Sequence, residues 1–184
     1  MIKEFYTNRL YVRSMTVADS SSLYPIWSDP DVARFMNVHP FKNENEVKDM
    51  ITYLNQLTEE YSAIRYSIIE LNTQQIIGSC GYNSIDYVNA VTEIGYDLAK
   101  ASWGRGYATE VASALIHYAF TSLQMNRVEA KVEPPNTNSI RVLQKLNFTY
   151  EGLLRQAQRS RGRFIDLNIY SRLRSDRGYM PIFR

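Results

Sequence analysis

The sequence predicts an α/β (α+β) fold with one mixed central sheet of about seven strands and helices on both faces. Three observations predict it. The order of elements is strand, helices, three strands, helix, strand, helix and two strands, which favours a mixed sheet covered on both faces. The length of 184 residues fits one domain. No repeat, low-complexity tract or linker divides the chain, so we assign a single domain to residues 1–184.

The first predicted elements are a strand and three helices. Leu10 to Arg13 predicts the strand. Thr16-Val17-Ala18-Asp19 is typical of a capping box and opens a helix that runs to about Trp27. Asp29-Pro30 is a second start signal, with Asp as the cap and Pro at the first helical position. The third helix follows Asn43. Its apolar residues fall on one face: Val47, Met50, Ile51, Leu54 and Leu57.

Three strands are predicted in the middle of the chain. Tyr66–Leu71 and Gln75–Tyr82 flank a short polar turn, which indicates a hairpin. Val91–Leu98 is the third strand, and its side chains alternate between the two faces of the sheet. One face carries Thr92, Ile94, Tyr96 and Leu98, and the other carries Val91, Glu93, Gly95 and Asp97.

The last third of the chain predicts two helices and three strands. Apolar residues recur at helical spacing after Gly106, which is the strongest local pattern in the sequence. Arg127–Glu133 alternates polar and apolar residues as a strand does, and Asn138–Leu146 predicts a shorter helix. Thr149–Leu154 and Phe164–Leu173 form a closing strand pair joined by an arginine-rich turn.

Composition narrows the class of protein. The chain has 21 basic and 19 acidic residues. A protein whose main function is to bind nucleic acid usually has a larger excess of basic residues. Cys80 is the single cysteine, so no intramolecular disulfide forms and a reducing compartment is favoured. No secretory signal or membrane-spanning stretch is visible. We therefore expect a cytoplasmic protein with no membrane or nucleic-acid partner, as a monomer or homodimer.

A glycine-containing segment, Trp103-Gly104-Arg105-Gly106-Tyr107-Ala108, lies between a predicted strand and the long helix. Gly104 and Gly106 allow a tight turn and a close approach of the backbone to a ligand. The helix that follows leaves its first amides unpaired, with the positive end of its dipole facing outward. This arrangement suits a phosphate. A Gly-x-Gly turn alone more often binds nothing, and the P-loop and dinucleotide fingerprints do not fit.

Two other features have a chemical and a structural interpretation. Asn136 to Ser139 precedes the shorter helix, where Asn and Ser are also favoured caps and turn formers. Glu93 lies in the middle of a strand, where Glu is depleted, on the face that carries Gly95. A solvated carboxylate at an edge is the structural alternative for Glu93.

Together these motifs resemble the GNAT superfamily of N-acetyltransferases, and within it the branch of ribosomal-protein N-terminal (alanine/serine) acetyltransferases. The resemblance extends from about Arg9 to Leu173, and several spaced motifs in the right order are more specific than any one of them. The matching segments are Asn8–Arg13, Asp29–Val32, Glu93–Tyr96, Trp103–Glu110, Asn136 with Ser139, Lys145–Phe148, Glu151-Gly152 and Gly162-Arg163-x-x-Asp166.

The resemblance implies acetyl-CoA as the co-substrate, an amine as the acceptor and no metal. Glu93 would accept the proton of the amine, directly or through water, and Ser139 would protonate the departing thiolate or stabilise it by a hydrogen bond. Backbone amides of the glycine-containing turn would hold the pyrophosphate, while the strand end near Tyr96 and the side chain of Asn136 would hold the pantetheine arm. The implied cofactor-binding residues are Tyr96, Leu98, Trp103, Gly104, Arg105, Gly106, Tyr107, Ala108, Thr109 and Asn136.

Two positions depart from the family pattern. Leu143 stands where the wider superfamily often has a tyrosine acid, so the acid role passes to Ser139. Asn147 stands where the family usually has glycine, and Asn also tolerates the left-handed conformation that ends a helix.

Three functions remain open from the sequence. The first is acetylation of a protein N-terminal amine, and the second is the same chemistry on a small amine such as an antibiotic, a polyamine or an amino acid. The third is a CoA-binding regulatory module without turnover. The fold does not separate the first two, because acceptor sites lie in variable loops.

Overall fold

The computed structural model describes residues 2–36 and 38–176 and contains an eight-stranded mixed sheet. The strands are β1 (Glu4–Tyr6), β2 (Leu10–Ser14), β3 (Ile64–Glu70), β4 (Ile76–Asp86), β5 (Val91–Leu98), β6 (Arg127–Val132), β7 (Thr149–Ser160) and β8 (Arg163–Leu173). The α-helices are α1 (Ser20–Trp27), α2 (Pro30–Ala33), α3 (Glu44–Glu59), α4 (Tyr107–Thr121) and α5 (Thr137–Lys145).

The sheet runs in the order β1-β2-β3-β4-β5-β6-β8-β7. Neighbouring strands are antiparallel except β5 and β6, which are parallel and pair only from Val91–Arg127 to Glu93–Glu129. Beyond Glu93 the two strands separate, so the second half of β5 has a backbone edge that β6 does not cover. This split in the middle of the sheet positions the candidate site.

The predicted mixed sheet with helices on both faces is confirmed, with one strand more than the expected seven. The extra strand is β1, whose three residues are too few to show a periodic pattern. It pairs with β2 through Glu4–Arg13 and Tyr6–Tyr11. The helix predicted from Thr16 to Trp27 begins as a 3₁₀ turn, Val17–Asp19, before α1.

Two apolar clusters lie on the two faces of the sheet. One packs α4 and α5 against the strands through residues such as Val111, Leu115 and Leu143, which are fully buried. The other packs α1, α2 and α3 together around Trp27 and Ile51. The predicted alternation along β5 is confirmed: Ile94 and Leu98 belong to the α4 cluster, whereas Asp97 faces Trp27 of α1.

A buried ion pair ties three strands to α1. Asp97 accepts hydrogen bonds at 2.5 Å from Arg65 Nη2 and from Ser79 Oγ, and at 3.0 Å from Trp27 Nε1. The side chains of Arg65 and Asp97 are 16% and 5% exposed. Because the carboxylate has partners for both oxygens, its burial is compensated.

We expect Asp97→Ala to lower the free energy of unfolding by about 3–5 kcal/mol, because it leaves the Arg65 guanidinium buried without its counter-charge. Urea denaturation measures this. The matched control is Asp31→Ala, which removes a surface ion pair with Lys100 at 2.5 Å and should change stability little. Equal losses in the two variants would contradict a structural role for the buried pair.

Candidate active site

Two cavities lie along the second half of β5 and meet. The glycine-loop cavity has a volume of about 570 Å³ and is lined by Gly104, Gly106 and the start of α4. The Glu93 cavity has a volume of about 450 Å³ and is lined by Glu93 and by the inner faces of α1 and α3. The residues common to both are Phe35, Met36, Tyr96, Asp97, Asn136 and Ser139. A reaction between one molecule in each cavity would therefore take place beside Tyr96 and Ser139.

The glycine loop has the backbone geometry that its sequence predicts. Gly104 has φ +73° and Gly106 has φ +82°, both in the left-handed region that disfavours other residues. Gly106 is the cap of α4, and the first helical amide bonded back to it is that of Glu110, at 3.0 Å. The amides ahead of Glu110 therefore point out of the helix start, where the dipole is positive.

Ionic contacts hold this loop against the sheet. Arg9 Nη1 donates to the Arg105 carbonyl at 2.9 Å, and the Arg9 guanidinium pairs with the buried Glu110 at 2.7 Å. Arg105 Nη2 pairs with Glu70 at 3.2 Å, and the hydroxyl of Tyr107 donates to the same carboxylate. The hydrogen bond from Tyr107 holds the pKa of Glu70 below its ordinary value. The loop conformation is thus set before any ligand binds.

The structure brings nine of the ten sequence-predicted cofactor residues to the glycine-loop cavity. They are Tyr96, Leu98, Trp103, Gly104, Gly106, Tyr107, Ala108, Thr109 and Asn136. Arg105 is the one predicted cofactor residue that does not line this cavity, because its side chain pairs with Glu70 instead. Its carbonyl accepts from Arg9, so the backbone group of Arg105 that remains for a ligand is its amide. Trp103 Nε1 donates to the Leu98 carbonyl at 2.8 Å, which leaves the backbone nearer Tyr96 as the open part of the β5 edge.

Gly106→Pro should weaken CoA binding roughly tenfold to hundredfold, the value of one charge-assisted hydrogen bond. Proline removes the amide at this position and forces φ to about −65°. The matched control is Gly162→Pro in the β7–β8 turn, where the glycine has nearly the same φ, +78°. Isothermal titration with CoA should show a loss for the first variant alone. A folded Gly106→Pro protein with wild-type affinity would mean that the anion site lies elsewhere.

Ser139 and Tyr96 form a hydroxyl pair where the cavities meet. Tyr96 Oη and Ser139 Oγ are 3.0 Å apart. Burial raises the pKa of Tyr96 to about 12, an effect that its hydrogen bond to Ser139 partly offsets. Both hydroxyls are therefore protonated at neutral pH, and either can donate to a neighbouring sulfur or oxygen.

Asn136, rather than Ser139, caps α5. Asn136 Oδ1 accepts from the Ser139 amide at 3.2 Å, so the amide group of its side chain remains available to a ligand. The hydroxyl of Ser139 is consequently free of any capping role. At the other end of this helix Leu143 is fully buried, and Asn147 has φ +58°, the left-handed conformation expected from its sequence.

Glu93 faces its cavity with both carboxylate oxygens engaged. Oε1 accepts from Asn83 Nδ2 at 3.0 Å, and Oε2 accepts from Lys131 Nζ at 2.6 Å. Asn83 is the extra residue of a bulge in β4, and Gly95 makes room for it: a Cβ at Gly95 would stand 2.7 Å from Asn83 Oδ1. The glycine that shares a face with Glu93 thus allows an amide to orient the carboxylate.

Sequence reasoning missed Asn83, Lys131 and the hydroxyl contact of Tyr96. Lys131 lies on β6 two residues beyond Glu129, the partner of Glu93 in the parallel pairing. Lys131 is near Glu93 because β5 and β6 pair in parallel, and no local sequence pattern predicts that pairing. Asp97 had a visible signal, since it alternates with Glu93 on one face of β5.

Other sequence features lie outside the cavities. Cys80 is fully buried, and burial raises the pKa of its thiol.

Within residues 2–36 and 38–176, no group of three or more His, Cys, Asp or Glu side chains is placed to hold a metal ion. In the same part of the chain, no helix has the length and apolar character needed to span a bilayer.

Comparisons with known proteins identify a family and several similar proteins. Residues 9–149 match the family described as "Acetyltransferase (GNAT) domain". An uncharacterized N-acetyltransferase p20 of Bacillus licheniformis is 46% identical over 175 residues, which cover 95% of this chain and 98% of the relative. The ribosomal-protein-serine acetyltransferase of Escherichia coli is 32% identical over 99 residues, 54% of this chain and 55% of the relative.

A solved structure shows the same fold. The spermidine N-acetyltransferase of Vibrio cholerae, crystallised with CoA and spermine, superposes with a TM-score of 0.78. The match covers 91% of this chain and 96% of the other, at 18% sequence identity.

Proposed function

The chain belongs to the GNAT acetyltransferase family, and we propose from this premise that it transfers the acetyl group of acetyl-CoA to a protein N-terminal amine. Family membership makes it an acetyl-CoA-dependent N-acetyltransferase. The observation that supports the site is the meeting of the two cavities at Tyr96 and Ser139. The non-catalytic alternative loses its support, because the family and the similar relatives are acetyltransferases.

The donor would occupy the glycine-loop cavity. Its pyrophosphate would bind the amides at the start of α4, and its pantetheine arm would run along the open edge of β5 past Asn136 toward Ser139. The cationic side chains of Arg34, Arg141 and Lys145 also line this cavity and suit a polyanionic nucleotide.

The acceptor would enter the Glu93 cavity. Its nitrogen attacks the thioester carbonyl, the C–N bond forms, the C–S bond breaks, and the sulfur leaves with the electron pair. Glu93 would take the proton that the nitrogen loses, directly or through water. Ser139 would donate a hydrogen bond or a proton to the sulfur as negative charge develops, supported by the hydroxyl of Tyr96 at 3.0 Å.

The choice of a protein N-terminus over a small amine rests on the similarity to the E. coli ribosomal-protein-serine enzyme over about half of the chain. The spermidine enzyme, by contrast, shares only the fold. A cytoplasmic location is part of the same proposal and agrees with the single reduced thiol at Cys80.

An acceptor screen tests this function. Wild-type protein is incubated with acetyl-CoA and with peptides beginning in serine or alanine, their N-terminally blocked forms, and small amines including spermidine. Mass spectrometry detects the acetylated product. We expect acetylation of the free peptides and none of the blocked ones. Turnover of small amines alone would replace the protein acceptor by a small one, and no turnover of any amine would contradict the function.

A further inference from the structure

Within the described part of the chain, one of the carboxylates that line the Glu93 cavity has no hydrogen bond or salt bridge to a cationic side chain. Glu93 pairs with Lys131 at 2.6 Å and Asp97 pairs with Arg65 at 2.5 Å, so each of these charges is balanced. Glu133 also lines the cavity. Among residues 2–36 and 38–176, nothing forms a hydrogen bond or a salt bridge with its carboxylate. The cavity therefore contains one carboxylate that no described cationic side chain contacts, although three arginines lie near enough to act on its charge.

Glu133 lies in the segment that leads from β6 to Asn136 and Ser139. It follows the last residue of β6, and its carbonyl accepts from the Asn136 amide at 2.9 Å. The Asn136 side chain then caps the Ser139 amide at 3.2 Å. Glu133, Asn136 and Ser139 thus belong to one connected segment, and all three line the Glu93 cavity.

The surroundings of Glu133 leave its charge partly desolvated. It is half-buried, and burial raises the pKa of its carboxyl although Arg161, Arg163 and Arg34 act in the opposite direction. None of these arginines neutralises it by contact: the Arg161 guanidinium donates to the carbonyls of Ala33 and Val38, and Arg34 and Arg163 are exposed to solvent.

A half-buried carboxylate without a partner is an attractive site for a ligand cation. Desolvation without a hydrogen bond is costly, and a charge-assisted N–H donor removes that cost. The acceptor supplies such a donor, because an α-amino group is largely an ammonium ion below its pKa of about 7.7–8.0. Glu93 is less suited to this first contact because both of its oxygens already have protein donors.

We propose that Glu133 binds the ammonium group of the acceptor and selects cationic amines, while Glu93 serves the later proton removal. The inference rests on the proposed acetyl transfer and divides the work between two carboxylates. Binding uses the ionised Glu133, and the proton leaves the nitrogen only when the amine has been placed against the thioester.

The test separates binding from chemistry. Steady-state kinetics with a hexapeptide that begins in serine should show KM for the peptide raised roughly 10–100-fold in Glu133→Gln, with kcat changed much less. Glu133→Asp should recover part of the loss. Glu59→Gln is the matched control, because Glu59 is an exposed carboxylate at the end of α3 outside both cavities.

A binding measurement examines charge selection without turnover. Wild-type protein saturated with desulfo-CoA is titrated with the hexapeptide and with its desamino form, and with butylamine and butanol as a second pair. The wild type and Glu93→Gln should prefer the cationic member of at least one pair, and Glu133→Gln should not. An unchanged preference in Glu133→Gln, or none in the wild type, overturns the proposal. A wild type that binds the amines selectively but never acetylates them would instead refute the proposed function.

Discussion

Glu93→Gln should slow acetyl transfer about 10²–10⁴-fold while CoA affinity stays nearly unchanged. Glutamine keeps the size of the side chain and its contact with Asn83, but it cannot take a proton from the attacking nitrogen. The deficit should shrink as the pH rises above about 8, because more of the acceptor amine is then already neutral. Single-turnover rates between pH 6 and 10 measure both effects.

Lys131→Ala provides the matched control for Glu93. If Glu93 only anchored Lys131, the two variants would lose activity together. Acting as the base, Glu93 instead needs only a lone pair, and each of its oxygens keeps one beside its single protein donor, so removing the ammonium at 2.6 Å leaves the base in place. Lys131→Ala should therefore keep a rate far above that of Glu93→Gln. A full-rate Glu93→Gln enzyme at neutral pH would remove Glu93 from the mechanism.

Ser139→Ala should lower kcat and kcat/KM together by about 10²–10³-fold, the loss typical of one preorganised donor to a developing negative charge. The sulfur is neutral while the thioester is intact, so a hydrogen bond from Ser139 is weak in the ground state. It strengthens as the C–S bond breaks, which lowers the barrier without tightening the binding of CoA. Single-turnover rates and CoA titrations measure the two quantities.

Two further measurements isolate the role of the hydroxyl. Melting temperature should change little in Ser139→Ala, because Asn136 supplies the cap of α5 and its contact with the Ser139 amide survives. Tyr96→Phe removes only the second hydroxyl of the pair and should cost less than Ser139→Ala. An unchanged rate in Ser139→Ala would leave the leaving sulfur without an identified donor.

Local sequence patterns predicted most of the fold because helix and strand periodicities are set by neighbouring residues. The long helix α4 follows from its apolar spacing, and the cap of α3 follows from Asn43, whose Oδ1 accepts from the Glu46 amide at 3.1 Å. Strand β1 escaped prediction because its three residues are held by pairing with β2 rather than by any pattern of their own.

The glycine loop of the candidate site could be predicted from the sequence, because the residues that set its backbone conformation are also those proposed to bind the ligand. Gly104 and Gly106 have positive φ angles that favour glycine and also belong to the proposed anion site, so the same two residues indicate both. Contacts between distant segments carry no such signal. The pairing of Glu93 with Lys131 spans 38 residues, and that of Arg65 with Asp97 spans 32. Such pairs depend on strand register, which the sheet order determines and local periodicity does not.

The position of Glu133 illustrates the same limit. Its neighbours along the chain, two prolines and Asn136, indicate a turn, but only the fold places this turn at the wall of the Glu93 cavity. Whether a carboxylate in this cavity has a cationic partner depends on elements that are distant in the sequence. Arg65 comes from β3, and Arg161 comes from the turn between β7 and β8.

A crystal structure with a bisubstrate analogue would test the two-cavity mechanism directly. The analogue is CoA joined through an acetyl linker to the N-terminal nitrogen of a serine hexapeptide. We expect the pyrophosphate at the amides of Gly104 to Ala108, the sulfur beside Ser139 Oγ, and the peptide in the Glu93 cavity with its linked nitrogen facing Glu93. A pyrophosphate bound away from the glycine loop, or a linker that does not pass between Tyr96 and Asn136 from one cavity to the other, would contradict this mechanism.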